Sequence, residues 1–182
     1  MNPTLLKYNL LIISVLVFQI NVFSQNWKPT TAVITFKIKH LGSTADGSFK
    51  DFSGTIFFDQ ANISNSSIKA TIDAKSFKTS INLRDEVIRG EDYFDAVRYP
   101  KISIASTKIE KNVEQNSYTG FFILTIKNVT KNIKIPFTFT KYGTKATFQG
   151  NFSINRTDFG VGSKSILIGN SVNISILVNT QQ

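Results

Sequence analysis

The stretch NIKIPFTFTKY, residues 132–142, places Ile133, Ile135, Phe137 and Phe139 at alternate positions with Lys134, Pro136, Thr138 and Thr140 between them. A period of two belongs to a strand with one buried and one wet face. The same period recurs along most of the chain. AVITFKIKHL sets Ile34, Phe36, Ile38 and His40 against Thr35, Lys37 and Lys39. GSFKDFSGTIFF, SSIKATIDA, KISIAST, YTGFFILTIK, KATFQGNFSIN and SVNISILVN follow, with turn signals such as ADG, ANISN and KYGTK between them. Eight strands in series, each with one apolar face, predict an antiparallel sandwich or a closed barrel. Pro136 lacks a ladder donor, so it marks a bulge or a place where the ladder opens.

Fourteen of the sixteen phenylalanines fall after residue 24, which makes the predicted interior heavily aromatic. An eight-stranded barrel has room either to be filled by such side chains or to hold one small ligand. With no cysteine and a single histidine, His40, the chain lacks a thiolate nucleophile, a disulfide framework and a histidine metal centre. No cofactor motif is present. The start of the chain is different in kind. Lys7, the apolar run LLIISVLVFQI and the small residues Val22 and Ser24 read as a secretory signal peptide over residues 1–24, leaving one domain over 25–182. Without Lys7, 20 basic residues stand against 12 acidic ones, a net +8. The lysines lie at strand spacing rather than in runs, which argues against a nucleic-acid partner and allows contact with an anionic membrane surface.

Alternation stops over INLRDEVIRGEDYFDAVRYP, residues 81–100. The segment predicts two short helices. Asn82 caps the first, with Asp85 reaching back, and Gly90 stops it. Asp92 caps the second, and Pro100 ends it. Leu83, Val87 and Ile88 share a face suited to cover a barrel end. Asp85 with Glu91 or Asp92 would be the carboxylate pair of an enzyme, but acidic residues at helix starts are favoured by the helix dipole alone. In INRTDFGVG, Arg156 and Asp158 are expected to pair and hold a turn.

Trp27 and the stretches KIKHLGSTADGSFKDFSGTIFFD, RDEVIRGEDYFDAVRYPKISIAST, GFFILTIKNVTKNIKIPF and INRTDFGVG, in this order and spacing, resemble the YceI-like polyisoprenoid-binding family over about residues 27–178. The resemblance implies an all-β, eight-stranded antiparallel lipocalin-like β-barrel with a short helical segment closing one end. It implies a periplasmic, non-catalytic protein whose partner is a long-chain amphiphile: a polyisoprenoid, an isoprenoid quinone or a fatty-acid derivative. One departure stands out. Where the family reads R-D-x-H-L, this chain has Val87 in place of the histidine.

The residues expected to meet the ligand are Ile34, Phe36, Phe58, Phe122, Leu124, Phe137, Phe139, Phe148 and Phe152 in the bore, with Tyr93 and Phe94 from the cover. Asn82, Arg84 and Asp85 are expected at the mouth, where Arg84 suits an anionic or carbonyl headgroup. His40 is expected as a barrel histidine. A homodimer is compatible with the pattern. Two other functions fit the alternation: a small outer-membrane barrel, with the faces inverted so that phenylalanines meet lipid, and an enzyme acting on a bound lipid.

Overall fold

The computed structural model describes residues 25–182; the expected signal peptide lies outside the described residues. Nine strand segments run in chain order: β1 (Asn26–His40), β2 (Ser43–Phe49), β3 (Ser53–Phe57), β4 (Ser67–Asp73), β5 (Lys101–Lys111), β6 (Ser117–Ile126), β7 (Val129–Tyr142), β8 (Lys145–Asn155) and β9 (Ile168–Gln181). They make eight staves, because β2 and β3 are one strand interrupted at 50–52, where Asp51 turns to φ +57°. All pairings are antiparallel, and β1 pairs with β9 from Lys28–Gln181 to His40–Ile168. That pairing closes the sheet into the expected eight-stranded barrel, and closure removes the two free edges an open sheet would have.

The alternation fixes which side chains go inside. On β7, Ile135, Phe137 and Phe139 are buried while Lys134, Thr138 and Thr140 are exposed, and on β8 Gln149, Asn151 and Ser153 face solvent. The inverted, lipid-facing arrangement of a membrane barrel is therefore wrong for this chain: Phe137, Phe139 and Phe148 point into the bore and Lys134 meets water. Phe121, on the outer face of β6, is covered by the ammonium of Lys134 at 5.2 Å from the ring centroid, as an amphipathic lysine stem permits.

Pro136 sits opposite Thr119 of β6, while the β7–β8 ladder runs only over Phe137–Tyr142. The missing donor thus falls just where the ladder has ended. Beyond it the two strands separate, and Phe159 and Val161, from the turn after β8, fill in with Ile126, Val129, Ile133 and Ile154.

The barrel is plugged at one end. Trp27 is fully buried, donates from Nε1 to the Phe58 carbonyl at 3.0 Å, and meets Phe139 edge-on at 5.3 Å. Phe58 lies 4.7 Å from Phe139 and 4.9 Å from Tyr118, ring to ring. At the other end, residues 74–100 connect β4 to β5 and carry the helix α1 (Asn82–Arg89).

That connection holds one helix where two were expected. After Gly90 the chain forms turns, with Tyr93 and Asp95 both donating to the Gly90 carbonyl at 3.1 and 2.8 Å, and Asp95 at φ +46° interrupts any helical run. Asp92 caps nothing with its side chain; its carbonyl accepts from Gly162 N at 2.9 Å. Asn82 is likewise not the cap of α1. The cap position is Ile81, and Asn82 is the first helical residue, its Oδ1 accepting from the Lys78 ammonium.

Candidate functional site

Above the aromatic plug the bore stays open as a cavity of about 640 Å³, inside the ~300–1,000 Å³ range of small-molecule sites. On β1 its wall runs from Ile34 to His40, about 20 Å measured along the strand. Phe137 and Phe148 form its floor, shared with the plug. The wall is aliphatic higher up, with Ile38, Ile72, Ile102, Ile104, Ile154 and Val172 among its members. Such residues face inward because each occupies the buried parity of its strand.

The segment 77–100 forms the rest of the enclosure. Phe77 stacks on Phe36 at 5.0 Å, and Phe94 meets Phe49 edge-on at 5.6 Å and Phe77 at 5.7 Å. This aromatic cluster joins β1, β2 and the cover into one wall. Tyr93 is held close to Gly162, where a Cβ would stand 2.6 Å from the Tyr93 ring and 2.8 Å from Arg156 Nη1. Gly162 also adopts φ +67°, so glycine answers both the crowding and the backbone conformation.

Asp85 anchors the cover. Its carboxylate is only 1 % exposed and accepts from Thr79 N at 2.9 Å and from the Thr79 hydroxyl. Lys78 Nζ stands 3.3 Å from its other oxygen, an ion pair without hydrogen-bond geometry. Burial pushes the Asp85 pKa up, but the two Thr79 donors and the Lys78 charge outweigh it and hold the group below its ordinary value. Asp85 is thereby committed to the backbone at Thr79 and does not line the cavity.

Polar groups on the wall are few and of one sign. Arg84, from α1, donates Nε to Thr79 Oγ1 at 3.1 Å. Arg156 is 5 % exposed and donates to the carbonyls of Gly169, Val161, Ser163 and Ile168 and to Asn170 Oδ1, at 2.8–3.4 Å. The expected Arg156–Asp158 pair is not formed. Asp158 faces out to Lys131 at 3.7 Å, because Arg156 turns inward to satisfy the buried carbonyls of the β8–β9 connection. No carboxylate lines the cavity, and neither arginine is in an ion pair among the described residues. His40 stands half-buried at the mouth. The wall sets hydroxyls, one amide, the His40 imidazole and two arginines in an otherwise apolar enclosure, which suits the holding of a largely apolar ligand. Among the described residues no cluster of His, Cys, Asp or Glu suits a metal.

Of the residues expected at a ligand, the structure brings Ile34, Phe36, Phe122, Leu124, Phe137, Phe148, Phe152, Arg84, Tyr93 and Phe94 to the cavity wall. Four are placed elsewhere. Phe58 and Phe139 share the inward parity but lie too far along their strands, inside the plug; Asn82 is exposed on the outer side of α1; Asp85 is turned to Thr79. The sequence reading missed Phe49, Phe77, Ile81 and Arg156. Phe77 follows a short 3-10 turn (Ala74–Ser76) with no alternation to flag it, and Arg156 offers only a nearby acid that proved to be a false partner.

Residues 26–180 match the model of the YceI-like domain. The chain is 36 % identical over 138 residues, 71 % of each chain, to the UPF0312 protein of Pseudomonas savastanoi pv. phaseolicola. It is similar to the crystal structure of BcnA from Burkholderia cenocepacia, with a TM-score of 0.78 and 28 % identity over 81 % of this chain and 95 % of that one. A polyisoprenoid binding domain from Saccharophagus degradans shares the fold, with a TM-score of 0.66 at 14 % identity over 86 % of this chain and 97 % of that one.

Proposed function

Given that the chain belongs to the YceI-like family, we propose that it is a carrier for a long-chain amphiphile, an isoprenoid or fatty-acyl derivative, exported by a cleaved leader over residues 1–24 to the periplasm. The observation that carries the reading is the cavity's one-sided chemistry: an apolar bore whose only charged wall groups, among the described residues, are arginines. An apolar tail gains about 0.8 kcal/mol for each methylene it buries there. A polar end left at the mouth meets Arg84, whose guanidinium keeps donors beyond the one given to Thr79. An anionic or carbonyl-bearing end is favoured, since no wall carboxylate competes for the arginine.

The test is a binding series on purified protein, using saturated fatty acids of increasing length and the matching alcohols, read by native mass spectrometry. Affinity is expected to climb with chain length until the bore is full, and acids are expected to bind better than alcohols. Arg84→Gln should weaken acids by about tenfold, the worth of one charged contact (~1.4 kcal/mol), and leave alcohols unchanged. Length-independent binding would overturn the reading of the bore. Equal loss for acids and alcohols would overturn the role of Arg84.

A further inference from the structure

Among the described residues eleven large apolar side chains are exposed, and six of them lie on segments that border the cavity. They come from three separate segments: Leu41 from the β1–β2 hairpin, Ile81, Leu83 and Val87 from α1 and its cap, and Ile166 and Leu167 from the β8–β9 connection. The first and third segments adjoin, and the second lines the same cavity. Leu41 N donates to the Leu167 carbonyl at 2.8 Å, and the cavity wall next to the mouth is made by His40, Ile168 and α1 itself. Leu83 is 72 % exposed, Leu41 62 %, and Ile166 fully so. Single exposed hydrophobics need no explanation, but a contiguous collar of them marks a contact surface.

Leu41 is the most telling member. It and Gly42 have φ +50° and +77°, the two left-handed residues of a tight hairpin turn between His40 and Ser43. That turn prefers asparagine or glycine at its first position, and a branched apolar residue there is strained. A leucine in a strained backbone, offered to solvent at the hairpin tip, costs the free protein twice. The charges around the collar supply its partner. Lys39 and Lys164, both exposed and in no ion pair among the described residues, flank Leu41 and the pair Ile166 and Leu167, and residues 39–44 and 163–168 carry no acid.

We propose that this collar docks the barrel, mouth first, on an anionic phospholipid surface. The six apolar side chains enter the interface, the flanking basic groups meet the lipid phosphates, and the cavity opens directly onto the membrane from which an amphiphile is drawn. Apolar insertion combined with basic flanks is the usual composition of a peripheral membrane contact.

The test is flotation of the purified protein with vesicles of phosphatidylglycerol and phosphatidylcholine, against pure phosphatidylcholine. The expected result is binding to the anionic vesicles that weakens as salt rises. The variant Leu41→Asn/Ile166→Ser changes two collar residues that are not on the cavity wall. Asparagine suits the turn better than leucine, so the melting temperature should hold or rise while vesicle binding drops at least tenfold. Uptake of a fluorescent long-chain fatty acid should be unchanged in the variant. The proposal falls if the wild type does not float, or if the variant floats equally well. It also falls if the wild type is a collar-to-collar dimer that the variant splits and that does not bind vesicles. Flotation without fatty-acid uptake would instead overturn the carrier reading and leave the docking surface standing.

Discussion

Asp85→Asn isolates the anchor of the cavity's cover. The carboxylate accepts two hydrogen bonds from Thr79, at the backbone N–H and the hydroxyl, in a site it shares with almost no water. Hydrogen bonds to a charged group are worth ~1.5–3 kcal/mol each, and neutral ones about 1. Asparagine keeps one acceptor oxygen but makes those bonds neutral, so the variant should lose ~2–3 kcal/mol. The Lys78 contact adds little, because the lysine side chain is half exposed. For a domain of this size the loss lowers the melting temperature by roughly 5–10 °C.

The pH dependence has a definite sign. The folded pKa of Asp85 lies below its ordinary value of 3.8. Its stabilisation is therefore complete above about pH 4 and is lost as the pH falls through the lower, folded value. The gap between wild type and Asp85→Asn should be constant from pH 7 to 5 and should narrow below 4. Thermal melts across that range, with amide exchange followed over residues 79–96, measure both quantities. A loss under ~0.5 kcal/mol at neutral pH, or a gap that persists undiminished to pH 3, would refute this account of the anchor.

Phe139→Ala empties the centre of the plug, a fully buried ring in contact with Trp27, Phe58 and Phe148. It should cost ~3–5 kcal/mol, seen as a lower midpoint in urea, and should extend the bore so that longer chains bind relatively better. Gly162→Ala brings a Cβ to 2.6 Å from the Tyr93 ring in a backbone conformation that disfavours it. It should destabilise by ~2 kcal/mol or more and speed exchange of the backbone amide at that position, which the Asp92 carbonyl holds.

Much of this molecule is legible in its strand parity. Ile34 and Phe36, Phe122 and Leu124, and Phe137 and Phe148 reach the cavity because a side-chain period of two leaves each residue only two faces to choose between. Parity says nothing about height along the barrel. Phe58 and Phe139 have the inward parity too, yet they fill the plug, because only the closed sheet with its staggered registers determines which inward residues meet Trp27 and which meet empty space. The charged segment was harder to read. Asp85 looked like a reciprocal cap for Asn82, but it turns to Thr79, six residues earlier, where the chain leaves its bridge to β2 at Ser48 and Lys78.

The order of residues along the chain sets the class of object: alternating strands, an aromatic interior, a basic and lysine-dotted outside, and a break in the pattern between β4 and β5. These are local properties, set by the neighbours of each residue along the chain. The tertiary structure alone decided that the interior is part plug and part cavity, that Arg156 serves backbone carbonyls instead of Asp158, and that Leu41, Leu83 and Ile166 meet at one mouth. The Arg156 contacts need the β8–β9 connection to fold back over 5–14 residues, and the other two depend on residues tens of positions apart being brought together by the β1–β9 closure. No window along the chain contains that pairing.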